Sequence, residues 1–274
     1  SLNKYEWRFM MPVLSLKIAN EQGTILAEHS AEDEVMLVYE EEYKPGDKII
    51  LTSTEKDIHL MVQLDDAMAS SFVYITKNQL IYYIPFDEKK ISYSPNSFSG
   101  NIHLLSARIA TSEEVDNYKN LALNVFDQHG DTGCYPHATA NVETRDESVF
   151  AARNAIDGVR ENRSHGKWPY QSWGINRQDD AVLKLEFGRS VKIDKIILYT
   201  RADFPHDNWW KEVNMTFSDG TSIKWKLEKS YKPHILNIEE KEVEWLLLNN
   251  LIKADDPSPF PALTQIEVYG VEAN

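Results

Sequence analysis

A period of two runs through this chain and limits what it can fold into. Leu183, Leu185 and Phe187, then Ile223, Trp225 and Leu227, then Val243, Trp245 and Leu247 alternate with polar or charged neighbours. Successive side chains of a strand point to opposite faces, so this spacing describes strands with one buried and one wet face. Turn-forming residues break the pattern at Gly23, Pro45-Gly46-Asp47, Pro95-Asn96, Gly130-Asp131, Gly188 and Ser218-Asp219-Gly220. Short strands at such intervals predict antiparallel sandwiches rather than a parallel sheet with crossover helices. The first half offers candidate strands at Val13–Ala19, Val35–Glu41, Lys48–Thr52, Ile58–Leu64, Leu80–Phe86, Ile102–Ile109 and Leu121–Phe126. Only Ser148–Ile156 and Glu113–Asn120 have a helical pattern, and both are short.

At 274 residues the chain favours two domains over one. The polar stretch Asp127–Thr132 is the natural joint, which predicts an all-β protein of two β-sandwich, jelly-roll-like domains, residues 1–128 and 129–274. A formal charge of −14 sets the chain against nucleic acid and anionic membrane surfaces, whose binding needs an excess of Lys and Arg on the contact face. The single cysteine, Cys134, excludes an intrachain disulfide and reads as a small buried thiol. The longest apolar stretches, Trp245–Leu248 and Phe9–Leu16 with Pro12 inside it, fall short of the ~20 residues of a membrane-spanning helix. Nor does a secretory signal pattern follow Lys4, Glu6 and Arg8. The expected location is cytoplasmic if this is the whole polypeptide, and extracellular if it is a module of a larger one.

From residue 154 to 270 the chain reads, in order, N-A-I-D-G (154–158), Q-S-W-G (171–174), L-E-F-G (185–188), Y-T-R-A-D-F-P-H-D-N-W-W (199–210), F-S-D-G (217–220) and Q-I-E-V-Y-G (265–270). This order resembles the discoidin, or coagulation-factor type C, superfamily, and within it the bacterial carbohydrate-binding modules of family 32. The resemblance implies a galactose-binding-domain-like sandwich for the second domain. It also implies a sugar site in the loops at one end, with Arg201 closing a strand, Asn208 seven residues on, and Phe260 before the last strand. A guanidinium fork and an amide suit vicinal hydroxyls, and an aromatic plate suits the apolar C–H face of a sugar. Arg201 could instead pair with Asp203 or Asp207 at the surface. The earlier loop aligns two ways: with Trp173 as the family tryptophan, Tyr170 takes the place of its histidine; with Trp168, His165 does. Trp173 reads equally well as a core residue. Trp209 and Trp210 are adjacent and must point to opposite faces, so one of them, together with Phe204 and His206, is a candidate sugar contact or a seam against the first domain.

The same resemblance implies a structural calcium ion in the loop after Ile156. Asp157 matches the family's carboxylate, Arg160 and Asn162 lie where loop oxygens are wanted, and Gln265 stands where the family has glutamate, with Glu267 two residues on as a substitute. Calcium takes six to eight oxygens in irregular geometry, which such a turn can supply. Otherwise Asp157 caps the turn through backbone N–H groups.

Signatures of catalysis are missing: no H-E-x-x-H, G-x-S-x-G, P-loop or dinucleotide fingerprint is present. Glycoside hydrolysis needs only two opposed carboxylates, and the chain has 43 acids, but the adjacent pairs Asp65-Asp66 and Asp255-Asp256 read as solvated turns. The function expected is non-catalytic glycan binding, with a glycoside-active enzyme and a protein-binding adhesion module as rivals.

Overall fold

The computed structural model describes residues 10–202 and 207–274. The first half contains β1 (Val13–Ala19), β2 (Ile25–Glu32), β3 (Glu34–Tyr39), β4 (Lys48–Ser53), β5 (Ile58–Gln63), β6 (Ser71–Ile75), β7 (Gln79–Tyr83) and β8 (His103–Ile109). Every pairing among them is antiparallel. Two sheets result, ordered β2-β1-β4-β7 and β6-β5-β8-β3. Their alternating residues form one core: Leu14, Leu16 and Ile18 of β1 join Val35 and Leu37 of β3, Leu60 and Val62 of β5 and Leu105 of β8. Each such side chain taken fully from water contributes about 1.5–3 kcal/mol.

A short helix, α1 (Ser112–Asp116), follows, closed by a capping box between Thr111 and Glu114. The remaining strands are β9 (Lys119–Asn120), β10 (Cys134–Tyr135), β11 (His137–Ala140), β12 (Trp173–Gly174), β13 (Leu183–Thr200), β14 (Trp210–Phe217), β15 (Ser222–Lys226), β16 (His234–Lys253) and β17 (Ala262–Glu272). All but β10 build a third antiparallel sheet ordered β12-β17-β13-β16-β14-β15, with β11 on β13 and β9 on β17. The sheet turns a corner inside β13. Leu183–Glu186 pair with β11 and with Trp245–Leu248 of β16, whereas Val191–Thr200 pair with β17 and the first part of β16. The register breaks between Glu186 and Val191, around Gly188, whose φ of 71° is open to glycine at no steric cost. Leu183, Leu185, Phe187, Ile196, Val213 and Phe217 share the resulting core. The fold is all-β, as the alternation predicts.

Four expectations need correction. Leu121–Phe126 is a run of turns, not a strand, although Leu121, Ala122, Val125 and Phe126 are buried. In β16 the inward residues are Val243, then Leu246 and Leu248; Trp245 and Leu247 fall on the outer face, where the Lys184 ammonium lies 5.5 Å from the Trp245 ring centre. The expected phase therefore fails next to the corner, because a register break inverts which residues face inward. The helical segment at Glu113–Asn120 shrinks to α1, and Ser148–Ile156 is two 3-10 turns, Ser148–Phe150 and Ala152–Ile156. Asp65 is buried rather than solvated: its two oxygens accept from the Ala67 and Phe98 N–H groups. Strands β2 and β6 carried no usable signal, since β2 is exposed almost throughout and β6 has five residues.

At the joint the chain trades edges. β9, from before the turns, pairs with β17 in the sheet of the second half, while β10, from after them, pairs with β6 in a sheet of the first half. Leu121 and Ala122 pack into the second core, Val125 and Phe126 into the first. Arg153 pins this crossing, with Nη2 donating to the Val125 carbonyl at 2.8 Å and Nε to that of Asp127 at 3.3 Å. Among the described residues no helix is long and apolar enough to cross a membrane.

Candidate functional site

Arg201 ends β13 and enters a deep position, with its side chain only 2% exposed. Its Nε donates to Asp207 Oδ2 at 2.7 Å, and its Nη1 donates to Asn162 Oδ1 at 2.7 Å and to the Tyr170 carbonyl at 2.6 Å. It is thus a buried ion pair, not the surface pair with Asp207 that the sequence allowed. Around it opens a cleft of about 330 Å³, whose walls include His165, Tyr170, Asp207 and Phe260 together with Arg201. Both residues that compete for the histidine position, His165 and Tyr170, reach this cleft. Neither tryptophan does: Trp173 is fully buried, donating Nε1 to the Val142 carbonyl at 2.9 Å and packing against Trp210 in the core. Trp168 lines a different cavity of about 340 Å³, between the two halves.

Asn208 is buried, and its amide is used within the loops: Nδ2 donates to the Ala254 carbonyl, Oδ1 accepts from the Trp209 N–H. Its backbone N–H donates to the Phe260 carbonyl at 3.0 Å, so it positions the Phe260 loop. Trp210 points into the core and Trp209 is half-buried. Asp203, Phe204 and His206 lie outside the described residues.

Sequence reasoning passed over the other wall. Thr144, Arg145, Phe150, Gly174, Asn176 and Arg177 also line the cleft. Gly174 forms part of the surface because a Cβ there would lie 2.7 Å from Thr144 Oγ1 and 3.0 Å from Phe150 Cδ1. Thr144 Oγ1 accepts from the Asn176 N–H at 2.9 Å, tying the two loops together. Only the Q-S-W-G motif hinted at this wall, since irregular loops have no periodicity.

The residues expected around calcium fall into two networks. Asp157 Oδ1 accepts from the Val159 N–H and from Gln265 Nε2, and Oδ2 accepts from Gln171 Nε2 at 2.8 Å. Arg153 Nη1 is 3.8 Å from Oδ2. Gln265 Nε2 lies 2.6–2.7 Å from three oxygens, those of Asp157 Oδ1 and the Asn154 and Thr264 carbonyls. These are hard oxygen donors of the kind calcium takes, but the Gln265 amide stands where they converge. Glu267 is engaged elsewhere by Arg160 at 3.0 Å, and Asn162 by Thr264 and Arg201. Burial raises the Asp157 carboxyl to about 6, against the opposing influence of Arg153 and the amide donors. No group of three or more His, Cys, Asp or Glu residues among the described residues is arranged to hold a metal ion.

No family model matches the sequence, and no curated protein matches it. Solved structures similar to this chain are family 32 and related galactose-binding, discoidin-like carbohydrate-binding modules. One is chitosan-binding module 1 of a chitosanase/glucanase from Paenibacillus sp. IK-5, at 16% identity over 55% of this chain and 98% of the module, TM-score 0.39. Another is the family 32 module of C. perfringens NanJ in complex with galactose, at 16% identity over 48% of this chain and 91% of the module, TM-score 0.38. A third is the lectin domain of lectinolysin complexed with Lewis B antigen, at 16% identity over 57% of this chain and 98% of that one, TM-score 0.43.

Proposed function

We propose that this is a non-catalytic carbohydrate-binding protein that takes a glycan in the cleft between the Phe150 and Phe260 loops. The observation that carries the reading is convergence: the loop holding His165 and Tyr170, Arg201 and Phe260 come from three separate parts of the sequence and meet in one cleft. Phe150 and Phe260 offer apolar faces for the C–H surface of a sugar, and the His165 ring and Tyr170 hydroxyl offer hydrogen-bonding groups for its hydroxyls. Phe260 is 41% exposed, as a stacking plate should be.

A glycan array followed by isothermal titration with its best ligand tests the reading. Single-sugar affinities are expected between roughly millimolar and tens of micromolar. Phe260→Ala should weaken binding by about tenfold without changing thermal stability much, since the ring is exposed. Release of reducing sugar from the ligand would favour the hydrolase instead, and an empty array with capture of a protein partner would favour adhesion. Against the hydrolase stand the structural uses of the acidic pairs: Asp65 holds two backbone N–H groups, and Asp256 accepts from the Ser258 N–H and from Lys229.

A further inference from the structure

Two arginines with left-handed backbone line this cleft from different loops. Arg145 has φ 53° and Arg177 φ 59°, and they are the only arginines with positive φ among the described residues. Each is joined to a second positive-φ residue, Asp146 at 52° and Asn176 at 50°. Non-glycine residues avoid this region, and consecutive pairs persist only where the surroundings hold them, a pattern that clusters at ligand sites. Each arginine also covers a cleft aromatic: the Arg145 guanidinium carbon is 5.5 Å from the Phe150 ring centre, and that of Arg177 is 5.1 Å from the Phe260 ring centre. The Thr144–Asn176 hydrogen bond fixes the spacing of the two loops.

A guanidinium resting on a ring keeps its flat shape and presents its N–H edge sideways, a pre-organised fork for an oxyanion. Arg145 shares its fork with Glu147, at 2.7 and 3.1 Å. Arg201 is balanced by Asp207. Arg177 is exposed and has no carboxylate partner within 4 Å among the described residues. In a chain of net charge −14, a cleft whose other two arginines are each matched by an acid leaves Arg177 as positive charge in excess.

We infer that the ligand of this cleft is an anionic glycan whose carboxylate or sulfate group docks on Arg177, with Arg145 on the same wall of the cleft. The inference rests on the sugar-binding reading above and deepens it by naming the class of sugar. Stacking and ionic contact share one residue pair here: Phe260 supplies a ring for the sugar's C–H face, and Arg177, resting against it, supplies the fork for the anionic group.

Matched oligosaccharides separate the possibilities: a neutral oligogalactan, an oligogalacturonate and a sulfated oligogalactan, titrated at low and at high salt. At low salt the intact chain should bind at least one acidic ligand about tenfold or more tightly than the neutral one, with the advantage shrinking at high salt. The carboxylate and sulfate arms show which anion is preferred. Arg177→Ala should remove most of the preference, read as the ratio of acidic to neutral affinity within the variant, and Arg177→Lys should restore only part of it. Melting curves of both variants, expected to match the parent, exclude misfolding. If neutral and acidic ligands bind equally, or the preference survives both Arg177→Ala and Arg145→Ala, charge selection is wrong while sugar binding stands. If none of the three binds and the glycan array is empty, the sugar reading falls and this inference with it.

Discussion

Arg201 is held by Asp207, Asn162 and the Tyr170 carbonyl before any ligand arrives. Its first role is therefore to fix three segments around the cleft floor. Arg201→Ala would take from buried Asp207 the guanidinium it pairs with and free the Asn162 and Tyr170 acceptors, and should cost on the order of 3–5 kcal/mol of stability, read as a large fall in melting temperature. Loss of sugar binding in that variant alone would say little about direct contact, which is why Phe260 and Arg177 are the better probes. Asp157 gives a second prediction at this scale. Its carboxyl is raised by burial to about 6, above the ordinary value of 3.8, so the folded state holds the proton more tightly than the unfolded chain. The resulting stabilisation is full below about pH 4 and is lost as pH rises through 6, amounting to up to about 3 kcal/mol. Asp157→Asn should flatten that part of the stability profile. We propose that a calcium ion held in this loop by Asp157 and the Asn154 and Thr264 carbonyls, with the Gln265 amide turned to present Oε1, would favour the ionised carboxylate and erase the slope. Chelator should then lower the melting temperature and calcium restore it. A profile indifferent to both would leave Asp157 as a turn residue held by Arg153 and two glutamine amides.

The cleft belongs to loops, and its walls are set where those loops leave β12 and β17. Gly174→Ala places a methyl group against Thr144 Oγ1 and the Phe150 ring. It should cost about 1–3 kcal/mol and weaken glycan binding together with stability, because it pushes the Phe150 wall and the Thr144–Asn176 tie apart. Thr144→Val, which keeps the shape and removes the acceptor, should cost about 1 kcal/mol or more and loosen the Arg177 loop. Elements of this kind were unevenly legible in the sequence. Strands with clean alternation, such as Leu183–Phe187, announced both their type and their buried face. The corner at Gly188 was visible as a turn residue, but not as the break beside which the inward phase of β16 shifts. Arg201, His165, Tyr170 and Phe260 could be picked out because the motif order resembles a known family. Arg145 and Arg177 could not, since backbone handedness and ring stacking in loops leave no spacing to read.

The joint near residue 128 was read from composition alone, and the traded edge strands show what composition misses. We propose two folding units that overlap in sequence. A fragment of residues 134–274 lacks β9, Leu121 and Ala122, which the sheet and core of the second half use. It should melt about 10 °C or more below a fragment of residues 117–274; equal melting would show that the overlap contributes nothing. The contact between halves also has an acid-sensitive member. Glu272 of β17 lies 3.2 Å from His59 of β5 and is gripped by Arg189. Burial pushes its carboxyl up, but the bonds from His59 and Arg189 prevail and hold it at about 2, against an ordinary 4.5. Its contribution is present above pH 4.5 and fades as pH falls toward 2. Discounted for solvent screening it is on the order of 1–2 kcal/mol, to be measured as the difference between the parent and Glu272→Gln across that window.

The exchange of β9 and β10 also has a mechanical meaning. Beads on a string swing about their linker, and tension draws them apart one by one. Here the linker is woven into both sheets, so tension between the two halves would load hydrogen-bonded ladders on either side of it, not a slack tether. Whatever grips the cleft from outside would pass its load to the first sandwich through these paired strands.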